Sequence, residues 1–241
     1  MDPAAFASGI RFAMVQPDTP LTPWRLRLRG LVVRAGMEFD VAITRLPERR
    51  KETRARLSDL CRIPRMSTYA LGAIINRIVA GLPAGQAFVN VGVWNGFTLL
   101  AGMAGNADRR CVGVDNFSEF GGPRAAFLAR FEARRSDLHE FHDMDYRAYL
   151  DGVHRGPIGF YIYDGDHAYE HQLRGLEVAE PHLAPGAWLL VDDTNDEEPR
   201  RATLDFVAAR RGEYAVVFDR RTASNLHPTF WNGVMLVRRR G

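Results

Sequence analysis

Beyond Ser67 the apolar positions follow two alternating periods. Leu71, Ile74, Ile75, Ile78 and Val79 recur at helical spacing. Ser67 or Thr68 can cap this helix, and Gly81 and Pro83 end it. Short apolar runs then predict strands at Ala87–Val91, Arg110–Val114, Leu138–His142, Ile158–Tyr163 and Ala187–Val191. Helical patterns fall between and after them, at Thr98–Ala104, Pro123–Arg135, Tyr146–Val153, Tyr169–Glu180 and Pro199–Arg210. Five strand–helix units predict an α/β fold: a doubly wound, mostly parallel, Rossmann-like sheet with helices on both faces. Two closing strands, Ala215–Phe218 and Gly233–Val237, have no helical pattern between them and predict an antiparallel edge.

The first part of the chain reads differently. Pro17, Pro20 and Pro23 break it, and strand signals are absent. Trp24, Leu28, Leu31, Val32 and Ala35 form an apolar stripe at helical spacing with arginines between them, and a polar helix is expected over Glu48 to Leu60. The division that follows is an N-terminal helical extension over residues 1–66 and a ligand-binding α/β domain over residues 67–241. The stripe is expected to pack on the chain's own core, where the extension shapes an acceptor cleft or a homo-oligomer interface.

Composition narrows the class. With 46% hydrophobic and 25% charged residues among 241, a sizeable buried core is expected. No apolar run approaches the ~18–20 residues of a membrane span, and Met1 to Ile10 lacks the apolar core of a secretory signal. Cys61 and Cys111 have no metal-ligand spacing and read as free thiols in a reducing, cytoplasmic setting. The net charge is only +3, and Lys51 is the only lysine, so the arginine bias reads as a G+C-rich bacterial genome. The basic positions around Arg25, Arg27, Arg29 and Arg34 read as solvated helix faces, and nucleic acid is not an expected partner.

In an open parallel sheet, ligands bind beyond the carboxyl ends of the strands, so the residues following each strand carry the candidate chemistry. After the first comes Asn90-Val91-Gly92-Val93-Trp94-Asn95-Gly96-Phe97-Thr98, a glycine turn into a helix that permits close backbone approach to a ligand. It lacks the full G-x-G-x-x-G of dinucleotide sites, because position 94 is Trp. After the second comes Asp115-Asn116, with a carboxylate placed either to hold a ribose diol or to cap a turn. After the third, Asp143-Met144-Asp145 offers acceptors for an adenine amino group. After the fourth stands Asp164-Gly165-Asp166-His167, and after the fifth Asp192-Asp193-Thr194-Asn195. If the last two strands pair, several carboxylates converge. At ~4 Å and an effective dielectric near 20, each like-charged pair costs on the order of 4 kcal/mol, which calls for protons or a cation. Oxygen ligation of this kind suits a hard divalent ion such as Mg²⁺. The other reading has these aspartates pointing apart to cap the following helices.

The order of glycine turn, ribose acid, Asp-Gly-Asp-His and Pro185-Gly186-Ala187-Trp188-Leu189-Leu190-Val191-Asp192-Asp193 resembles class I S-adenosylmethionine methyltransferases. More narrowly it is similar to the metal-dependent sugar O-methyltransferases of the macrocin and novobiocin type, with relatives labelled cephalosporin hydroxylase. The resemblance spans about residues 68–240. It implies that Gly92, Gly96 and Thr98 line the methionine end of S-adenosyl-L-methionine, that Asp115 with Asn116 binds the ribose side, and that Asp145 contacts adenine. Asn90, also a cofactor candidate, stands where many members carry an acid. The same comparison implies Asp164, Asp192 and Asp193 as ligands of Mg²⁺ and Asp166 as general base, with His167 a competing base. The expected reaction is methyl transfer to a hydroxyl of a small-molecule acceptor, a sugar or other polyol. The rival readings are a nicotinamide-dependent oxidoreductase and a non-catalytic binding protein that keeps the fold.

Overall fold

In the computed structural model, residues 1–22, 36–48 and 52–241 are described. The Trp24–Ala35 stripe therefore lies outside the described residues. Two short strands, β1 (Arg11–Phe12) and β2 (Thr44–Arg45), pair antiparallel near the N-terminus. Two residues per strand leave no alternation to read, which is why the sequence pattern misses them. The polar helix expected over Glu48 to Leu60 is described as Glu52–Leu57, followed by a 3₁₀ turn at Leu60–Arg62.

The main sheet contains β3 (Ala87–Val91), β4 (Arg110–Asp115), β5 (His139–Asp143), β6 (Ile158–Tyr163), β7 (Leu183–Asp192), β8 (Tyr214–Arg220) and β9 (Val234–Arg239). Their order is β5-β4-β3-β6-β7-β9-β8, and only β9 runs against the others. The antiparallel edge is thus made by the last strand inserting between β7 and β8. Strand order switches direction between β3 and β6, which is where a crevice opens beyond the strand ends of such a sheet.

Alternation along each central strand sorts side chains onto two faces. Phe88, Phe160, Trp188, Leu190 and Leu236 enter one core, where the Phe88 and Phe160 rings stack 4.8 Å apart. Val89, Val91, Tyr161, Leu189, Val191 and Val237 enter the other. The first face is covered by the helices Tyr69–Ala80 and Phe97–Met103, and Phe6, Phe12, Ile43 and Leu57 of the N-terminal segment join the same core. Thr68 is the cap of the helix Tyr69–Ala80: its side chain accepts from Leu71 N–H, while its Oγ1 donates to Thr229 O at 2.7 Å. The predicted Tyr146–Val153 helix divides into a single α-turn, Tyr146–Ala148, and a π-turn, Tyr149–Val153.

The π-turn buries His154 in its neutral form. Its Nδ1 faces Tyr149 Oη at 3.0 Å and its Nε2 faces Gly156 O at 2.9 Å. Burial pushes its pKa from 6.5 down to about 4. The unfolded chain therefore binds this proton first as pH falls, so stability present above about pH 6.5 is lost through the window down to about 4. The urea midpoint should fall across that window, and more shallowly in His154→Asn. An equally steep fall in the variant would remove His154 from the account.

Candidate functional site

The glycine turn after β3 and the loop after β6 lie on either side of the switch in strand order. They touch through backbone, where Asp164 N–H donates to Val91 O at 2.9 Å, while Gly92 N–H donates to Val114 O of β4 at 2.9 Å. Gly92 adopts φ +76°, and a Cβ there would lie 1.8 Å from Asp164 O. No other residue fits this crossing. Gly96, at φ +96°, then opens the helix Phe97–Met103, with half-buried Thr98 in its first turn.

Asp115 holds this turn in shape. Its Oδ2 accepts from Val93 N–H at 2.8 Å and Trp94 N–H at 2.9 Å, and its Oδ1 accepts from Phe117 N–H at 2.7 Å. A carboxylate offers about four lone-pair directions, so these bonds leave room for a further donor. Asn116 is exposed and closes a local turn by accepting from Ser118 N–H. Asn90 is fully buried; its Nδ2 donates to Val91 O and Gly92 O at 3.1 Å each, and its Oδ1 has no partner. Asp145 caps the turn Tyr146–Ala148 and pairs with Arg147.

The acidic loops do converge, and strand register is the cause. Ile162 pairs with Leu190 in parallel, so Asp164 and Asp192, each two residues further on, emerge at the same level. Asp193 follows in a left-handed conformation, φ +51°. Between them sits His167. Its Nε2 lies 3.6 Å from Asp164 Oδ1, 3.7 Å from Asp193 Oδ2 and 4.0 Å from Asp192 Oδ1. Its Nδ1 faces Gln172 Oε1 at 3.2 Å, which sets the ring's orientation.

The electrostatics follow from burial. Burial, then Asp164, drives the Asp192 pKa well above the usual carboxylate range, and burial raises that of Asp193. For His167, burial disfavours the charge, but Asp164, Asp192 and Asp193 outweigh it and push the pKa up to about 10. A protonated imidazole thus stands where a cation is wanted. Asp192 Oδ1 and Asp193 Oδ1 are buried with no hydrogen-bond partner. Orphaned buried carboxylate oxygens are costly and fit metal ligation. Asp164, His167 and Asp192 each offer a ligand atom, all within 4.8 Å of one another. Oxygens of Asp164, Asp192 and Asp193 suit a hard ion, and His167 Nε2 widens the choice towards a transition metal.

Asp166 is not part of this cluster. Its Oδ1 accepts from Ala168 N–H at 2.9 Å, and its Oδ2 lies 2.6 Å from His171 Nδ1. Those bonds, the one from Ala168 first, hold its carboxyl below the usual range. Three further residues contribute beside the predicted site residues. Gln172 orients His167, Asn232 hydrogen-bonds the Asp193 side chain, and Trp94, at φ +44°, donates its Nε1–H to Phe120 O. The helix-facing Gln172, five residues past His167, was the one signal available in advance.

Residues 89–194 match a family model described as a methyltransferase domain. No curated protein matches the chain. Among solved structures, the chain is similar to a TDP-rhamnose 3′-O-methyltransferase of calicheamicin biosynthesis, with TM-score 0.58 and 17% identity over 93% of this chain and 97% of that one. It is also similar to a Podospora anserina methyltransferase solved with SAH, with TM-score 0.56 and 14% identity over 94% and 100% of the two chains. A third likeness is to cofactor-bound Rv0187 from MTB, with TM-score 0.57 and 15% identity over 92% and 99%. At such identities the structures speak to fold alone. The matched stretch runs from within β3 to just past β7, and the seven-stranded, mostly parallel sheet that carries it has the α/β fold of the methyltransferases named above.

Proposed function

We propose that the chain is an S-adenosylmethionine-dependent O-methyltransferase in which Asp164, Asp192 and Asp193 hold a divalent cation, Mg²⁺ above all, that serves an acceptor hydroxyl. The observation that carries this reading is the pair of buried carboxylate oxygens of Asp192 and Asp193 that accept no hydrogen bond, at the same sheet edge as the Gly92 turn. Gly92 to Thr98 would line the cofactor's methionine end, and the remaining lone pair of Asp115 would accept from its ribose hydroxyls. A bound divalent ion supplies Lewis acidity that makes a coordinated hydroxyl easier to deprotonate.

The chain's own groups do the rest. His167 Nε2 would take the proton of an acceptor hydroxyl as its oxygen accepted the sulfonium methyl group, the C–S electron pair staying on sulfur. Gln172 aims that nitrogen. With the carboxylate charge neutralised, His167 returns towards its neutral, proton-accepting form. Asp166 faces His171 and is assigned a supporting place in the loop. A cavity of about 330 Å³ is lined by Asp40, Arg65, Thr68, Leu226 and Trp231, the residue before Asn232 in the chain, and supports an acceptor with a body larger than its reacting hydroxyl, such as a sugar.

Calorimetry with S-adenosylmethionine, S-adenosylhomocysteine and NAD, each with and without Mg²⁺, tests the cofactor class. The first two should bind and NAD should not. Asp115→Ala should weaken S-adenosylhomocysteine binding at least tenfold, since charged hydrogen bonds contribute roughly 1.5–3 kcal/mol. Binding of NAD alone would overturn the reading.

A further inference from the structure

A second cavity, of about 430 Å³, opens at the opposite edge of the sheet. It lies between the end of the helix Tyr69–Ala80, the starts of β6 and β7, and the end of antiparallel β9. From Gly159 on its wall, β6 leads to Asp164 over about 17 Å at ~3.3 Å per residue. Its volume is in the range of small-molecule sites, roughly 300–1,000 Å³. Leu82, Pro185 and Trp188 provide apolar wall.

The polar groups on the wall are unbalanced. The Arg238 guanidinium lies over the Trp188 ring, 4.2 Å from its centroid, and makes no hydrogen bond or ion pair among the described residues. The Gln86 side-chain amide is equally unbonded. Arg77 directs Nε and Nη2 at a single carbonyl, Met1 O, at 3.2 and 2.7 Å. The one acid on the wall is Asp2, whose Oδ1 already accepts from Ala4 N–H and Ala5 N–H at 2.9 and 3.1 Å. Burial, opposed by Asp2, holds the Arg238 pKa below its usual value, so its charge lacks a close counter-ion.

Two glycines leave space for the unpartnered head groups. A Cβ at Gly159 would lie 2.2 Å from Gln86 Oε1, and one at Gly186 3.1 Å from Arg238 Nη2. The cavity therefore combines two guanidinium groups, an amide and an indole-backed wall with a single carboxylate, Asp2, whose Oδ1 is held by its own helix.

We propose that this cavity is a second ligand site, taking a small molecule with a phosphate or similar oxyanion held between Arg77 and Arg238 and an apolar body against Leu82 and Trp188. Guanidinium groups match the fork geometry of phosphate oxygens, and stacking on an indole leaves the N–H edges of Arg238 free to donate.

Calorimetry on the full chain with phenyl phosphate and, separately, inorganic phosphate tests the site, against sodium chloride of matched ionic strength. Saturable one-site binding of phenyl phosphate is expected, weakened tenfold or more in Arg238→Gln and in Arg77→Gln. Arg238→Lys should retain more affinity than Arg238→Gln. Phenyl phosphate binding tighter than phosphate assigns a phosphate monoester, and equal affinities assign a free oxyanion. Circular dichroism checks each variant's fold, and Gln86→Leu, which alters no charge, should still weaken binding if an arginine variant unfolds. No saturable binding at millimolar ligand, or affinity unchanged in Arg77→Gln, Arg238→Gln and Gln86→Leu, would overturn the site.

Discussion

Asp192→Asn is expected to lower Mg²⁺-dependent turnover by roughly a hundredfold or more while leaving S-adenosylhomocysteine affinity nearly unchanged. Even groups one step outside a metal's ligands typically cost 10–100-fold when removed, and Asp192 is assigned as a direct ligand. Its thermal response should separate the metal from the cofactor. In the wild type, Mg²⁺ held by Asp164, Asp192 and Asp193 would relieve their mutual repulsion, and it should then raise the melting temperature. Asp192→Asn replaces a buried carboxyl whose ionisation burial and Asp164 disfavour, so without metal it should melt no lower than the wild type, and Mg²⁺ should then add little. Asp193→Asn should behave in the same way. His167→Gln should retain cofactor binding and lose turnover, whereas Asp166→Asn should stay largely active, because Asp166 is bonded to His171 outside the cluster. The reverse pair of results would move the base to Asp166. Full activity in EDTA with Asp192→Asn also active would leave a metal-free methyltransferase.

Gly92→Ala should be the most damaging single methyl in the chain. Left-handed backbone costs a side-chain-bearing residue roughly 1–2 kcal/mol. Gly85→Ala isolates that cost, since Gly85 is at φ +82° with nothing within 4 Å of an added Cβ. At Gly92 the added carbon also meets Asp164 O at 1.8 Å, across two strands whose pairing prevents either from yielding. A loss of about 3 kcal/mol or more is expected, against about 1 kcal/mol for Gly85→Ala. If the protein still folds, the displaced Asp164 should weaken both cofactor and metal binding. Denaturant unfolding of the two variants side by side checks this, and equal losses would show that the crossing is less tight than its geometry.

The central strands were legible because each is a contiguous run bounded by turn residues. The spans Ala87–Val91 and Ile158–Tyr163 follow directly from such runs. Strand β7 was harder: it begins at Leu183, four residues before the apolar run, and Pro185 and Gly186 fall in a register shift after which pairing with β6 resumes at Trp188. The position of β9 between β7 and β8 carries no local signal at all, since strand order is chosen by which edges meet, not by which residues form them.

For the site, the sequence by itself determined the inventory. Strand ends followed by Gly92, Asp115, Asp164 and Asp192 are local facts, and a parallel sheet must bring its strand ends to one edge. Only the tertiary structure decided how those groups face one another. Register put Asp164 and Asp192 at one level, and a left-handed turn placed Asp193 beside them. The two adjacent residues Asp166 and His167 were indistinguishable as a sequence pair. Rotation of the chain between them sent one side chain to His171 and the other into the carboxylates, where Gln172 holds it. Those outcomes depend on contacts between segments remote in the chain, and a one-dimensional pattern does not encode the direction in which a loop side chain points.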